Sequence, residues 1–232
     1  LDNTYLTRAA RSYTIEVAKR HSIPSRCVWL DTPLAQAQVN LVERLLERCD
    51  ALPAPEELRL LARREPGILM PTSQMRALRE LEPPARDEGL AAVERIAFSR
   101  TTRLGPGRTG VFVAAAALRQ PGWEDAVKSA DPAAPHLIFD WSPEGSADAL
   151  DPLVQRLAAT VLGPVQSAVC PHPAGPPTCW CRPPLPGLLL DFARSHEVDP
   201  ARSILVGTAA AHRTLAATLS AEYVAAPRDA DL

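Results

Sequence analysis

The sequence predicts an α/β protein made of two three-layer, parallel-sheet domains, and three observations carry that expectation. Amphipathic segments of helical period alternate with short apolar runs of strand length, a glycine-rich stretch near residue 105 interrupts the alternation, and the same rhythm resumes beyond it. The domains are expected over residues 1–104 and 110–232.

In the first half, Thr7 is placed to cap a helix over residues 8–21, with Ala10, Tyr13, Val17 and Ala18 on its apolar face. Ile23-Pro24 ends that helix, and residues 26–30 read as a short buried strand. Asp31-Thr32-Pro33 then opens a second helix running to about Cys49. That helix carries Gln38, Asn40, Arg44 and Arg48 among Val39, Leu41, Leu45 and Leu46. A helix over residues 72–80 and a strand over 92–98 complete the half. Three glycines and a proline between Arg103 and Gly110 mark the domain boundary. Gly105-Pro-Gly107-Arg-Thr-Gly110 spells G-x-G-x-x-G, but it precedes the strand-like Val111-Phe112-Val113 instead of following a strand and opening a helix. It therefore reads as a plain linker and not as a dinucleotide fingerprint.

Beyond it, strands are expected at residues 136–140, 165–169, 203–207 and 222–225, and helices at 149–161, 185–196 and 212–219. Composition narrows the function classes. The formal net charge of −2, from 25 basic and 27 acidic residues, supplies no global positive field for a polyanion. No apolar run approaches the ~20 residues of a membrane span, and the first residues lack the features of a signal peptide, so a cytoplasmic setting is expected. Neither lysine, Lys19 or Lys128, has the glycines of a G-x-x-x-x-G-K-[ST] phosphate loop. The chain opens on Leu1 within what reads as a strand-to-helix turn, as a C-terminal fragment or a gene model lacking its start would.

The densest chemical signal is Cys170-Pro-His172, followed six residues later by Cys179-Trp-Cys181. Thiolates and an imidazole suit tetrahedral Zn²⁺, and four donors close its shell, which makes the site structural. Prolines 171, 173, 176 and 177 reduce the entropy lost when the ligands converge. Ordinary reduced thiols or a disulfide pair are the competing readings, with Cys179 and Cys181 too close in sequence for an unstrained ring. Cys27 and Cys49 fall in a strand and a helix and read as plain thiols. His21 and His196 sit at helix ends, where a cation complements the macrodipole, and His136 has no visible partner. Trp29, Trp123, Trp141 and Trp180 do not interleave with basic residues, so no stacking track for single strands is indicated.

The loop together with Arg182-Pro-Pro-Leu-Pro186-Gly187 resembles the zinc loop of the histidinol-phosphate and heptose-bisphosphate phosphatases of the haloacid dehalogenase (HAD) superfamily. The resemblance implies a HAD-like Rossmannoid domain with Cys170, His172, Cys179 and Cys181 as zinc ligands. In that family Arg-Lys-Pro-x-Pro-Gly follows the loop, a V-G-D-x-x-x-D strand end helps hold Mg²⁺, and a D-x-D-x-T strand carries the nucleophile. Here Pro183 stands in place of the lysine, Thr208 and His212 replace the two acids, and the strand ending at Ala114 has no carboxylate. Aspartyl phosphoryl transfer needs both a nucleophilic carboxylate and a screening metal, so this domain is expected to be inactive. Asp140 is the remaining carboxylate at a strand end.

Residues 1–100 resemble the kinase domain of bifunctional polynucleotide kinase/3′-phosphatases, through Asp2-Asn3-Thr4 with Arg11, residues 23–30, Leu34-Ala-Gln36-Ala-Gln-Val-Asn40 with Arg44, and Leu81-Glu82-Pro-Pro with Glu88-Gly89-Leu90. That likeness implies an incomplete P-loop kinase fold. Asp2, Asn3, Thr4 and Arg11 would bind substrate, and Arg44 and Arg48 on a lid helix would stabilise the transferring phosphoryl group. Their alternatives are a helix cap for Asp2 and a solvated face paired with Glu43 or Glu47 for the arginines. Structural zinc is the implied cofactor, with ATP and Mg²⁺ in a full-length protein, and ATP and nucleic-acid 5′ ends or another hydroxyl compound are the implied partners, with no membrane. The leading expectation is a fragment of an ATP-dependent 5′-hydroxyl kinase fused to a degenerate HAD-like domain. A non-catalytic scaffold and a zinc-loop HAD phosphatase are the alternatives.

Overall fold

The computed structural model describes residues 4–99, 107–128 and 130–226. In chain order its helices and strands are α1 (Arg8–Arg20), β1 (Arg26–Asp31), α2 (Leu34–Cys49), α3 (Pro55–Arg64), α4 (Pro71–Glu80), β2 (Ala92–Ala97), β3 (Val111–Ala114), α5 (Ala115–Leu118), α6 (Trp123–Lys128), β4 (His136–Trp141), α7 (Asp151–Ala158), β5 (Val165–Cys170), α8 (Gly187–Ser195), β6 (Ile204–Gly207), α9 (Ala210–Leu219) and β7 (Glu222–Ala225). All strand pairs are parallel, as the alternation of elements implies. No described helix is long and apolar enough to cross a membrane.

The chain forms two compact units, one from residues 1–34 and 72–102 and the other from 35–71 and 103–232. This division departs from the expected boundary, because residues 35–71 belong with the second unit. The reason is the apolar face of α2. Val39, Leu41, Val42, Leu45 and Leu46, together with Leu58 of α3, share one core cluster with Phe112, Phe139 and Leu189. α2 is therefore a core helix and not a lid. Residues 100–106, which include Arg103 and Gly105 of the expected linker, lie outside the described residues. Gly107 and Gly110 have a packing role: a Cβ at Gly110 would lie 2.7 Å from a methyl of Val198, and one at Gly107 3.0 Å from the backbone nitrogen of Asp199.

In the first unit β1 and β2 pair in register from Arg26↔Ala92 to Asp31↔Ala97. The strand expected to be buried instead alternates half-buried and exposed positions, with Val28 and Leu30 open, since the sheet has two strands among the described residues. Thr7 caps α1 as expected, its hydroxyl accepting from the Ala10 amide at 3.1 Å. The buried side of α1 is formed by Arg11 and Ile15, while Tyr13, expected on the apolar face, is exposed. Arg11 is drawn inward by Glu88, whose two oxygens receive Nε at 2.7 Å and Nη2 at 2.9 Å.

The second unit holds a five-stranded sheet in the order β5-β4-β3-β6-β7. Numbered within the unit this is 3-2-1-4-5, the doubly wound arrangement. Alternate residues of the central strands face opposite layers. Phe112, Leu137, Phe139 and Leu205 enter the cluster shared with α2, α3, α8 and α9, whereas Val111, Val113, Ile138 and Val206 meet the layer of α5, α6 and α7. The second helix in the 35–71 segment, α3, was not expected from the sequence, although Pro55 at its start, Glu56 and Glu57 in its first turn and Arg63 and Arg64 in its last are ordinary helix signals.

Two outcomes follow from these cores. Leu45 is fully buried, so Leu45→Ala should cost the second unit about 2–5 kcal/mol in chemical denaturation, whereas a separate role for α2 would leave that transition unchanged. His136 is also fully buried, and burial lowers its pKa below the ordinary 6.5 against the opposing Ala134 backbone and the Asp131 carboxylate. The unfolded imidazole binds a proton that the folded one refuses. Stability is therefore complete above pH 6.5 and falls as the pH drops from there toward the folded value. Denaturation at pH 7.5 and 5.5 should show a smaller acid loss in His136→Leu than in the parent.

Candidate functional site

β5 ends at Cys170, the loop that follows crosses the carboxyl end of the sheet, and α8 begins at Gly187. Within that loop the structure brings together all four metal-ligand candidates of the sequence. Their donor atoms lie within 4.8 Å of one another. His172 Nδ1 is 3.1 Å from Cys181 Sγ and 3.4 Å from Cys170 Sγ, and Cys170 Sγ is 3.3 Å from Cys181 Sγ and 3.7 Å from Cys179 Sγ. A tetrahedral zinc with its usual bond lengths needs edges of roughly 3.6–3.8 Å. The donor set suits that ion, the donor–donor distances bracket those edges, and the three cysteines are buried.

Charge explains why such a cluster calls for a cation. Hydrogen bonds from the Cys170 and Cys181 thiols hold the Cys179 thiol well below its ordinary pKa. The same contacts push Cys170 and Cys181 up, Cys170 through Cys179 and Cys181 through Cys170. Three thiolates this close would repel one another strongly in the absence of a metal. A dication would favour the thiolate at all three.

The loop is anchored by neighbours that the sequence did not reveal. Trp180, between two ligands, is buried and donates its indole N–H to the Leu69 carbonyl at 3.1 Å. Leu52 and Leu188 pack on the cysteines. Gly187 donates its amide to the Trp180 carbonyl at 3.0 Å, and a Cβ at Gly187 would lie 2.4 Å from that oxygen. Glycine is the residue that permits this approach.

A second feature lies where the strand order reverses, between β3 and β6. Open α/β sheets receive ligands in the crevice outside the carboxyl ends of their strands at such a point. β3 ends at Ala114, and Ala115, Ala116 and Ala117 follow it with no carboxylate, as the sequence indicated. After β6, His212 replaces an acid. Its Nδ1 accepts from the backbone amides of Thr208 at 3.2 Å and Ala209 at 3.4 Å, and its ring meets the edge of Phe139 at 5.6 Å. Burial lowers the pKa of His212, partly offset by the charge of Asp140. Asp140, next to last in β4, has its carboxylate 3.4 Å from the Arg119 guanidinium.

The residues expected to serve kinase chemistry are placed elsewhere. Asp2 and Asn3 lie outside the described residues, and Thr4 is exposed in the irregular segment before α1. Arg11 spends its donors on Glu88 and the Tyr5 carbonyl, so it braces α1 instead of facing a substrate. Arg44 donates to the Gly67 carbonyl at 2.6 Å and Arg48 to Glu65 at 3.2 Å, tying α2 to the turn after α3. These bonds correct the expectation of a mobile cationic lid.

No protein-family model matches the chain, and no curated protein matches it. Among solved structures, D,D-heptose 1,7-bisphosphate phosphatase from B. bronchiseptica, complexed with magnesium and phosphate, is 22% identical over 50% of this chain and 79% of its own, with a TM-score of 0.37. A HAD-superfamily hydrolase of subfamily IA, variant 1, from Geobacter sulfurreducens is 12% identical over 87% of this chain and 86% of its own, with a TM-score of 0.32.

The contact at Gly187 yields a direct outcome. Gly187→Ala forces the Trp180 carbonyl away and should loosen the ligands on either side of it. In competition with a chromogenic chelator the variant should release metal faster than the parent, and an unchanged rate would contradict the anchoring role.

Proposed function

We propose that the second unit is a zinc-loop domain of the HAD phosphatase type, in which Cys170, His172, Cys179 and Cys181 hold a structural zinc ion. The observation that carries this reading is the convergence of four donors to within 4.8 Å of one another inside twelve residues. Zinc so bound would neutralise the thiolates and fix the loop, and four protein donors leave no position for a reactive water. The loop's resemblance to the zinc loop of histidinol-phosphate and heptose-bisphosphate phosphatases supports a phosphorylated small molecule as the ligand of the crevice.

Three alanines after β3 and His212 after β6 remove the paired carboxylates that aspartyl phosphoryl transfer requires. The crevice therefore recognises its ligand without the usual turnover. Asp140 favours a second reading, in which it replaces the missing nucleophile beside Arg119.

Metal analysis should find about one zinc per chain, and Cys179→Ser should lose it together with thermal stability; unchanged zinc in that variant would refute the assignment. Phosphate release from phosphomonoesters with Mg²⁺ decides between the two roles of the crevice. Recognition without turnover predicts none, whereas hydrolysis through Asp140 predicts a release that Asp140→Asn abolishes.

A further inference from the structure

Trp141 ends β4 beside the crevice with 39% of its surface exposed, yet it is held from two directions. Its indole N–H donates to the His172 carbonyl at 2.9 Å, and the Arg182 guanidinium lies 5.3 Å from the ring centroid. The next backbone groups continue the attachment. Ser142 donates its amide to the Cys170 carbonyl at 3.2 Å and Glu144 to the Pro171 carbonyl at 2.9 Å. Carbonyls of three successive residues of the metal loop thus hold the segment that carries Trp141.

Arg182 comes from the other end of that loop, immediately after Cys181, and its own donors are fixed on the Pro173 and Gly175 carbonyls. The turn beyond Trp141 is equally constrained: Gly145 returns its amide to the Ser142 carbonyl at 2.8 Å, and a Cβ there would lie 2.5 Å from the Ser142 hydroxyl. An exposed indole with its rotamer already fixed loses little freedom when a ligand lands on it. A guanidinium over the ring draws on its π density, which favours a second aromatic ring over an aliphatic one on the remaining surface.

We propose that Trp141 is a stacking platform for a nucleobase-type heterocycle, set in its pose by the metal loop. This extends the reading of the crevice as a site for a phosphorylated compound, and its positioning half rests on the zinc assignment. The sequence could not show it, because Arg182 lies 41 positions from Trp141 and reaches it through the fold alone.

Calorimetric titration of the zinc-loaded protein with adenosine 5′-monophosphate, adenosine and ribose 5-phosphate tests the proposal. Both adenine compounds should bind and ribose 5-phosphate should bind at least about tenfold more weakly, since stacking on an aromatic contributes on that scale. Trp141→Ala should weaken adenosine binding by roughly 5–150-fold, whereas Trp141→Phe keeps most of it. Chelating the zinc should weaken the parent by a similar factor and leave Trp141→Ala unaffected. Tryptophan emission, taken as the difference between parent and Trp141→Phe, should quench on adenosine addition. Absence of binding by either adenine compound, equal affinity in Trp141→Ala, or ribose 5-phosphate binding as tightly as the nucleotide would each overturn it. A zinc-free protein that still binds adenosine through Trp141 would remove the metal reading and leave the platform standing.

Discussion

Three buried sulfurs within 4.8 Å of one another cannot all be ionised without a cation, and that constraint organises the carboxyl end of the second sheet. The thiol contacts favour ionisation at Cys179 over the other two, and a dication would favour it at all three sulfurs. Around it the chain is braced on every side: Trp180 reaches into the core toward Leu69, Gly187 lies against the Trp180 backbone, and the residues after β4 hang from the carbonyls of Cys170, Pro171 and His172. The loop is both the end of β5 and the mount for the end of β4.

Much of the architecture was legible because it is written in local patterns. The period of the apolar residues located β7 at its observed bounds and α2 to its last residue, and the ligand set was readable because cysteine and histidine at close spacing have few other uses. Three things were not legible. The burial of Arg11 depends on Glu88, 77 residues away, so helical periodicity placed Tyr13 on the wrong side of α1. The domain boundary failed because a glycine-rich linker signals a break in periodicity but not which segments share a core. The pairing of Arg182 with Trp141 likewise exists only after folding.

The kinase expectation shows how a resemblance in order and spacing can mislead about roles. Arg44 and Arg48 do project from one helix, as a charge-stabilising pair would, but their guanidinium groups end on a carbonyl and a carboxylate of the adjoining turn. Such contacts join the apolar face of α2 in fixing the helix to the core. His212 illustrates the opposite outcome. A residue noted in the sequence only as the loss of an acid turns out to hold the start of α9 by accepting two backbone amides.

The interleaving of the two units sets a timetable for synthesis. The segments of the first unit present in this sequence end at residue 102, and residues 35–71 form a loop between them along the chain. Those looped residues carry Val42, Leu45 and Leu58, whose neighbours Phe112, Leu189 and Leu215 arrive much later. Until the ribosome has delivered the C-terminal strands, an oily hairpin of two helices must wait without its socket. The bond from Trp180 to Leu69 spans 111 positions, so closure of the second unit is a late, long-range event. During translation this stretch is where a chaperone would find its hold.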